Sequence, residues 1–171
     1  APALIQNNLA TVVSHPETLH ALTQAAHHQK TQAHIHIKID TGMGRVGCTP
    51  EEGLLLIQQV QQNPSIVLEG IMSHIAWEEK QDFDKIRSQI HQFQSVLDQC
   101  APIQSRWQHL ANSTTTLQFP RAHHNLVRVG LLTYGLPPLN TNLHFIPALS
   151  LKAQITQIRS LMPGQTLSYG G

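Results

Sequence analysis

The alternation of strand-like and helix-like segments between residues 14 and 138 constrains the fold of this chain more than any other feature. Apolar side chains occupy every second position of residues 33–40, a pattern that predicts a strand with one sheltered face. Helical periodicity precedes and follows this strand, and the order then repeats. Strands separated by helices predict parallel βα units, arranged either as a doubly wound sheet or as a (β/α)8 barrel.

Helix boundaries are predicted from capping sequences and apolar stripes. Residues 14–30 open with Ser14-His15-Pro16-Glu17, and a second helix opens with Thr49-Pro50-Glu51-Glu52 and runs to about Gln62. Both openings have the capping-box form, in which the first and fourth residues satisfy each other's backbone N–H groups. The remaining predictions are a strand at 66–72, a helix at 82–99, a strand at 107–112, a short helix from Ser113 and a strand at 126–129.

Length and composition set the scale of the fold. The chain has 171 residues, of which 40% are hydrophobic and 12% are charged, with a formal net charge of +1. This composition is typical of a folded core and argues against disorder and against general nucleic-acid binding, which needs a basic excess. Four βα units are predicted, whereas a barrel has eight in about 250 residues. A barrel interpretation therefore makes residues 1–138 its C-terminal half.

The two ends of the sequence suggest a fragment. The chain starts APALIQ without an initiator Met and stops at LSYGG after a strand-like run. Residues 148–160 and 166–169 are strand-like, with a turn at 162–165 between them. We therefore expect residues 139–171 to form the beginning of a truncated all-β C-terminal domain.

Other functional classes find little support in the sequence. The two cysteines do not make a disulfide framework, which favours a reducing, cytoplasmic location. No apolar run approaches the roughly 20 residues of a membrane span. The 12 histidines do not show the spacing of a zinc site, so no metal is predicted.

Candidate functional residues collect at the predicted C-terminal ends of the strands, where βα proteins carry their sites. Several of these side chains are cationic, and Ser113 with Gly130 has the form of a phosphate cradle. Taken one by one, each has a plainer interpretation as a helix cap, a core histidine, a turn glycine or a surface charge. Because all of them lie at the C-terminal ends of successive strands, an enzyme that binds a phosphorylated ligand is favoured. The residues are Lys38, Asp40, Arg45, Ser73, His74, His109, Asn112, Ser113, Arg128, Gly130 and Leu131.

A family resemblance adds to these observations. The stretch KIDTGMGRVG (38–47) closely resembles the signature of alanine racemases, and the likeness continues in order through four further blocks. The resemblance implies a homodimer with shared active sites, built from an N-terminal (β/α)8 barrel and a C-terminal β domain. It also implies pyridoxal 5'-phosphate as cofactor, L- and D-alanine as substrates, and a supply of D-alanine for peptidoglycan. The further blocks are EGIMSHIA (69–76), HLANSTTTL (109–117), VRVGLLTYGLPP (127–138) and PALSLKAQI (147–155).

The resemblance assigns roles to the cationic residues. Lys38 matches a barrel lysine that is often carbamylated, and a carbamate would pair with and orient Arg45. Arg45 matches the arginine that reaches the cofactor's phenolic oxygen and the substrate carboxylate. Arg128 matches the arginine that faces the pyridine nitrogen, and His74 and His109 match histidines that hold Arg128 and the catalytic tyrosine.

The same resemblance assigns the phosphate site. Ser113, together with the N–H groups of Gly130 and Leu131, matches the phosphate cup, and Asn112 lies beside it.

Neither of the family's two catalytic bases has a counterpart in this chain. The Schiff-base lysine belongs to the first barrel strand and the tyrosine to the C-terminal domain of the other subunit, whereas Lys30, Lys38, Tyr134 and Tyr169 lie in other blocks. We therefore expect the isolated chain to be inactive. The alternatives are a broad-specificity amino-acid racemase, another barrel-type pyridoxal-phosphate enzyme such as a decarboxylase, and a non-enzymatic homologue.

Overall fold

A four-stranded parallel sheet forms the centre of the protein, as seen in a computed structural model that describes residues 1–76, 83–101, 103 and 105–169. The strands lie side by side in the order in which they occur along the chain. A doubly wound sheet reverses its strand order at a switch point, whereas a barrel does not, so this sheet has the arrangement of a partial α/β barrel. The strands are β1 (Thr11–Val13), β2 (Ala33–Lys38), β3 (Ile66–Met72) and β4 (Trp107–His109).

Four of the five helices agree closely with the sequence predictions, although residue 82 of the predicted 82–99 helix lies outside the described residues. The first helix, at residues 2–6, was not predicted. Two short 3-10 turns, Pro120–Ala122 and Leu131–Tyr134, follow the last helix. The helices are α1 (Pro2–Gln6), α2 (Pro16–His28), α3 (Pro50–Gln61), α4 (Phe83–Cys100) and α5 (Ser113–Gln118).

One predicted capping box is confirmed and the other is wrong. At α3, Thr49 Oγ1 accepts from the Glu52 N–H at 3.2 Å and Glu52 Oε2 accepts from the Thr49 N–H at 2.9 Å. At α2 the cap is His15, whose side chain makes no capping hydrogen bond. Pro16 occupies the first helical position, which leaves Ser14 one residue too early to cap.

The two faces of β2 have different environments. Ile35 and Ile37, with Ile39 just beyond the strand, are fully buried and pack in the core on the helix side of the sheet. His36 and Lys38 lie on the opposite face, where the interior of a closed barrel would be. The core also contains Leu19, Leu22, Leu56, Ile57, Ile86, Phe93 and Val96.

Three predicted strands, at 126–129, 148–160 and 166–169, are absent from the described part of the chain, and one observed strand was not predicted. The segment predicted as a strand at 126–129 forms only a single parallel bridge between Leu126 and His109. Strand β1 was not predicted, because three residues are too few to show a period of two. Within 139–169 the structure contains no strand, and side chains such as Leu151 are fully exposed.

No strand of the described residues pairs with this last segment, and a strand is stable only when its backbone groups are paired. The predicted turn is present, with the Gln165 N–H donating to Met162 O at 3.0 Å. The division of the chain into domains at residues 138 and 139 stays a prediction. Among the helices of the described ranges, none is both long and apolar enough to cross a membrane.

Candidate functional site

Arg128 is the centre of the candidate site, just beyond β4. Its Nη1 donates to His109 Nδ1 at 2.6 Å, and its Nη2 donates to Ser73 O at 2.7 Å. Nη2 also lies 3.3 Å from His74 Nδ1. The main chain of Arg128 is held by Ala111, whose carbonyl accepts from its N–H at 3.0 Å. Three residues from two strand ends, Ser73 and His74 after β3 and His109 at the end of β4, thus fix one guanidinium.

The electrostatics of this group favour neutral histidines. Burial, the Arg128 charge and His36 together lower the pKa of His109 to about 4. Burial, followed by the charges of Arg128, Lys38 and Arg45, lowers the pKa of His74. Because a guanidinium can only donate, the ring nitrogens that face Arg128 must accept, which requires both rings to be neutral.

Lys38 adds a second buried cation on the same side of the sheet. It is 8% exposed, and burial, Arg45 and Arg128 lower the pKa of its ammonium, against the opposite effect of Asp40. Arg45 itself is exposed at the tip of the loop after β2. These charges make the strand ends cationic, which suits an anionic ligand.

Asp40 has a structural role that the sequence did not predict. The sequence made it a candidate site residue, and in the structure its carboxylate accepts from the N–H groups of Gly42, Met43 and Gly44 at 2.7–2.8 Å. The carboxylate therefore folds the glycine-rich loop that carries Arg45.

The predicted phosphate residues meet at the start of α5. The helix begins at Ser113 as predicted, and Asn112 caps it, with its Oδ1 accepting from the Thr115 N–H at 3.1 Å. Ser113 Oγ instead accepts from the Gly130 N–H at 3.1 Å. A Cβ added at Gly130 would meet no atom within 4 Å, so open space adjoins this contact. Leu131, next along the chain, is 50% exposed.

Three polar residues of this region were missed by the sequence analysis. Thr41 Oγ1 lies 2.9 Å from Ser73 Oγ in the buried interior, where the pair ties the ends of β2 and β3 together. His36 and Glu69 form the second group. His36 lies on the same face of β2 as Lys38, and Glu69 interrupts an otherwise apolar strand. Both features are visible in the sequence and could have identified these residues.

The fold and these side chains define a class of protein: an α/β-barrel whose strand ends carry a cationic site suited to an anionic ligand. The family is shown by comparison with known proteins. The family described as "Alanine racemase, N-terminal domain" matches residues 1–138. The chain is 35% identical over 173 residues to the alanine racemase of Carboxydothermus hydrogenoformans, covering 98% of this chain and 47% of that protein. The chain therefore belongs to the alanine racemase family, and it spans about half the length of the curated relatives it matches.

Solved structures give the same fold. The alanine racemase of Clostridium difficile 630 in complex with cycloserine superimposes with a TM-score of 0.76, at 27% identity over 81% of this chain and 39% of that one. The histidine racemase of Leuconostoc mesenteroides subsp. sake has a TM-score of 0.72 over 85% of this chain and 41% of that one. Its 22% identity supports a shared fold alone.

Proposed function

We propose that the complete protein containing this chain is a pyridoxal-phosphate-dependent alanine racemase that interconverts L- and D-alanine and supplies D-alanine for peptidoglycan. The observation that carries the proposal is Arg128, held by His109, His74 and the Ser73 carbonyl at the ends of the barrel strands. Family membership supports the reaction, and the site supports the cofactor.

The donor set of this chain fits the cofactor. Pyridoxal phosphate carries a dianionic phosphate and a phenolic oxygen, and this part of the sheet offers cations and N–H groups. The Ser113 hydroxyl and the Gly130 N–H lie together next to open space, where we propose that they and the Leu131 N–H hold the phosphate, with Asn112 fixing α5 beside them.

Arg128 determines how the cofactor is used. Bound pyridoxal phosphate supplies an electron sink for the Cα carbanion of an amino acid. In our proposal Arg128 would donate a hydrogen bond to the ring nitrogen. A guanidinium has no site that accepts a proton, so it would not support a protonated ring. We expect weaker delocalisation into the ring, which favours return of the proton to Cα over transamination. A decarboxylase of this fold would be expected to have an acid at this position.

We propose that Lys38 works as a carbamate that orients Arg45 towards the substrate carboxylate. The lowered pKa of Lys38 favours the free amine. Its nitrogen would form a bond to the carbon of carbon dioxide and release one proton to water, which leaves the carbamate anion. The product replaces a cation that repels Arg45 and Arg128 with an anion that attracts them.

The two proton-transferring bases lie outside this chain in our proposal. We infer that the complete protein is a homodimer in which the partner completes each site, and we expect residues 1–171 alone to be inactive. A broad-specificity amino-acid racemase is the alternative, because in our proposal the residues that determine the size of the substrate pocket also lie outside this chain.

The experiment is an amino-acid panel on the complete protein, purified with pyridoxal phosphate. We expect absorbance from the bound cofactor and faster interconversion of alanine than of serine, histidine or lysine. Equal rates across the panel would favour the broad-specificity alternative. A protein that binds no cofactor and interconverts no amino acid would contradict the proposal and favour a non-enzymatic homologue.

A further inference from the structure

We propose that His36 and Glu69 are positioning residues for Arg128, because a continuous polar chain runs from the guanidinium through His109 and His36 to the Glu69 carboxylate. The existence of the chain is independent of the proposed function. Its purpose, to hold Arg128 in place for the cofactor, rests on that function.

The distances define the path. Arg128 Nη1 is 2.6 Å from His109 Nδ1, and His109 Nε2 is 2.8 Å from His36 Nδ1. His36 Nε2 in turn lies 3.7 Å from Glu69 Oε2, while Glu69 Oε1 is 2.8 Å from His34 Nδ1. The path crosses all three strands β2, β3 and β4.

The chemistry of Arg128 fixes the direction of every hydrogen bond. A guanidinium only donates, so His109 Nδ1 accepts and its single hydrogen is on Nε2. That hydrogen is donated to His36 Nδ1, which leaves the His36 hydrogen on Nε2, pointing to an acceptor. The nearest such group is the Glu69 carboxylate, whose Oε2 lies 3.7 Å from Nε2, within ion-pair distance but beyond a hydrogen bond. The other tautomer of His109, with hydrogen on Nδ1, would place its N–H against an N–H of Arg128.

The backbone of β3 is shaped to build this contact. Ile35 pairs with Leu68 and His36 pairs with Gly70, so Glu69 is the extra residue of a β-bulge. Bulges re-aim a side chain, here towards β2. A glycine is also needed at position 70, because an added Cβ would collide with the His36 ring. The missing side chain lets His36 reach across β3 to His109, with the ring centroids 5.0 Å apart and the planes at 75°.

The energetic need for the chain follows from burial. His109 is 5% exposed, so its Nε2–H has no free access to water and would be destabilising if left unpaired. The Glu69 carboxylate also places a negative charge at the end of the path opposite to Arg128, beyond the His36 and His109 rings.

Within the described ranges, no three His, Cys, Asp or Glu side chains are grouped so as to hold a metal ion, which argues against a metal at Glu69.

The test compares three histidine variants of the complete protein. His36→Phe removes both ring nitrogens, His36→Gln keeps one acceptor and one donor, and His34→Gln changes a residue that contacts Glu69 but lies off the path to Arg128. The first readout is the ¹⁵N spectrum of His109, recorded without cofactor. We expect a single tautomer with hydrogen on Nε2 in the wild type, His36→Gln and His34→Gln. In His36→Phe the Nε2–H has no acceptor, so we expect the ring to turn away from Arg128, which otherwise fixes the tautomer, and to show a mixture of tautomers.

The second readout is kcat for alanine at saturating pyridoxal phosphate. We expect a decrease of about ten- to a hundred-fold in His36→Phe, because small misplacements of a ligand-orienting group have effects of this size. His36→Gln and His34→Gln should stay within about three-fold of the wild type, since their hydrogen bonds to the path are preserved. If His36→Phe does not fold, Glu69→Leu replaces it, with Glu69→Gln as its matched control that retains an acceptor.

An unchanged His109 tautomer and unchanged kcat in both His36→Phe and Glu69→Leu would overturn the inference. A wild-type protein without racemase activity would instead contradict the proposed function, and the ¹⁵N measurement would still decide whether the chain exists.

Discussion

His109 shows how one residue connects the sheet to the site. Burial in the β4 end and the adjacent Arg128 both lower its pKa, to about 4, because each disfavours a charged ring. The neutral ring is the form that accepts from Arg128. Burial is also the main cause that lowers the pKa values of His36 and His74. His36 contacts His109, and His74 contacts Arg128.

This depression predicts a pH dependence of stability. In the unfolded chain His109 titrates near 6.5, so between pH 6.5 and about 4 the unfolded state binds the extra proton and the native state does not. Stability from this residue is therefore fully present above pH 6.5 and is lost as the pH falls, by up to about 3 kcal/mol. His36 and His74 contribute with the same sign.

Urea unfolding of the complete protein at a series of pH values measures this effect. The His109→Gln variant should be less stable at neutral pH, yet lose less stability than the wild type between pH 6.5 and 4. Parallel stability curves for the two proteins would show that His109 does not remain neutral in the fold.

At the scale of elements, local signals decided what could be predicted. Helix α3 was predicted almost to its ends because Thr49 and Glu52 form a reciprocal cap that depends only on neighbours in sequence. Strand β3 was predicted with both ends correct from its apolar run. The bulge at Glu69 could not be predicted, because it depends on the register against β2, a property of two strands rather than one.

The loop between β2 and α3 gives a prediction at this scale. Gly47 and Gly44 both have positive φ, 137° and 65°, but their surroundings differ. A Cβ at Gly47 would lie 2.8 Å from the Asp40 backbone nitrogen, whereas one at Gly44 would meet nothing within 4 Å. Gly47→Ala should therefore combine strain with a backbone collision and lose about 3 kcal/mol or more, against about 1–2 kcal/mol for Gly44→Ala.

Denaturant midpoints of the two alanine variants in the complete protein test this difference. Equal losses of stability would mean that the close approach of Gly47 to Asp40 does not exist.

At the scale of the whole molecule, the sheet indicates both the fold and what surrounds it. Strands β1 and β4 each have one strand neighbour within the described part of the chain, as consecutive members of a partial barrel would. The strand ends could be predicted as the site from the βα order alone. The side-chain contacts of Arg128 could not, because they join residues from 19 to 55 positions away in sequence through a three-dimensional arrangement.

The wrong strand predictions at 126–129 and in 148–169 have a related cause. Both segments have the composition of strands, yet a strand also needs a partner to satisfy its backbone. Leu126 finds one bridge to His109, and side chains such as Ile155, 79% exposed, find no cover within the described residues.

The most direct test of the account is the alanine racemisation rate of Arg128→Ala compared with Arg121→Ala, both in the complete protein with pyridoxal phosphate. Arg121 is an exposed arginine of the 3-10 turn before the site and serves as the matched control. We predict that Arg128→Ala lowers kcat by about a hundred-fold or more, while Arg121→Ala retains the wild-type rate. Equal activity of the two variants would contradict the assignment of Arg128 as the centre of the site.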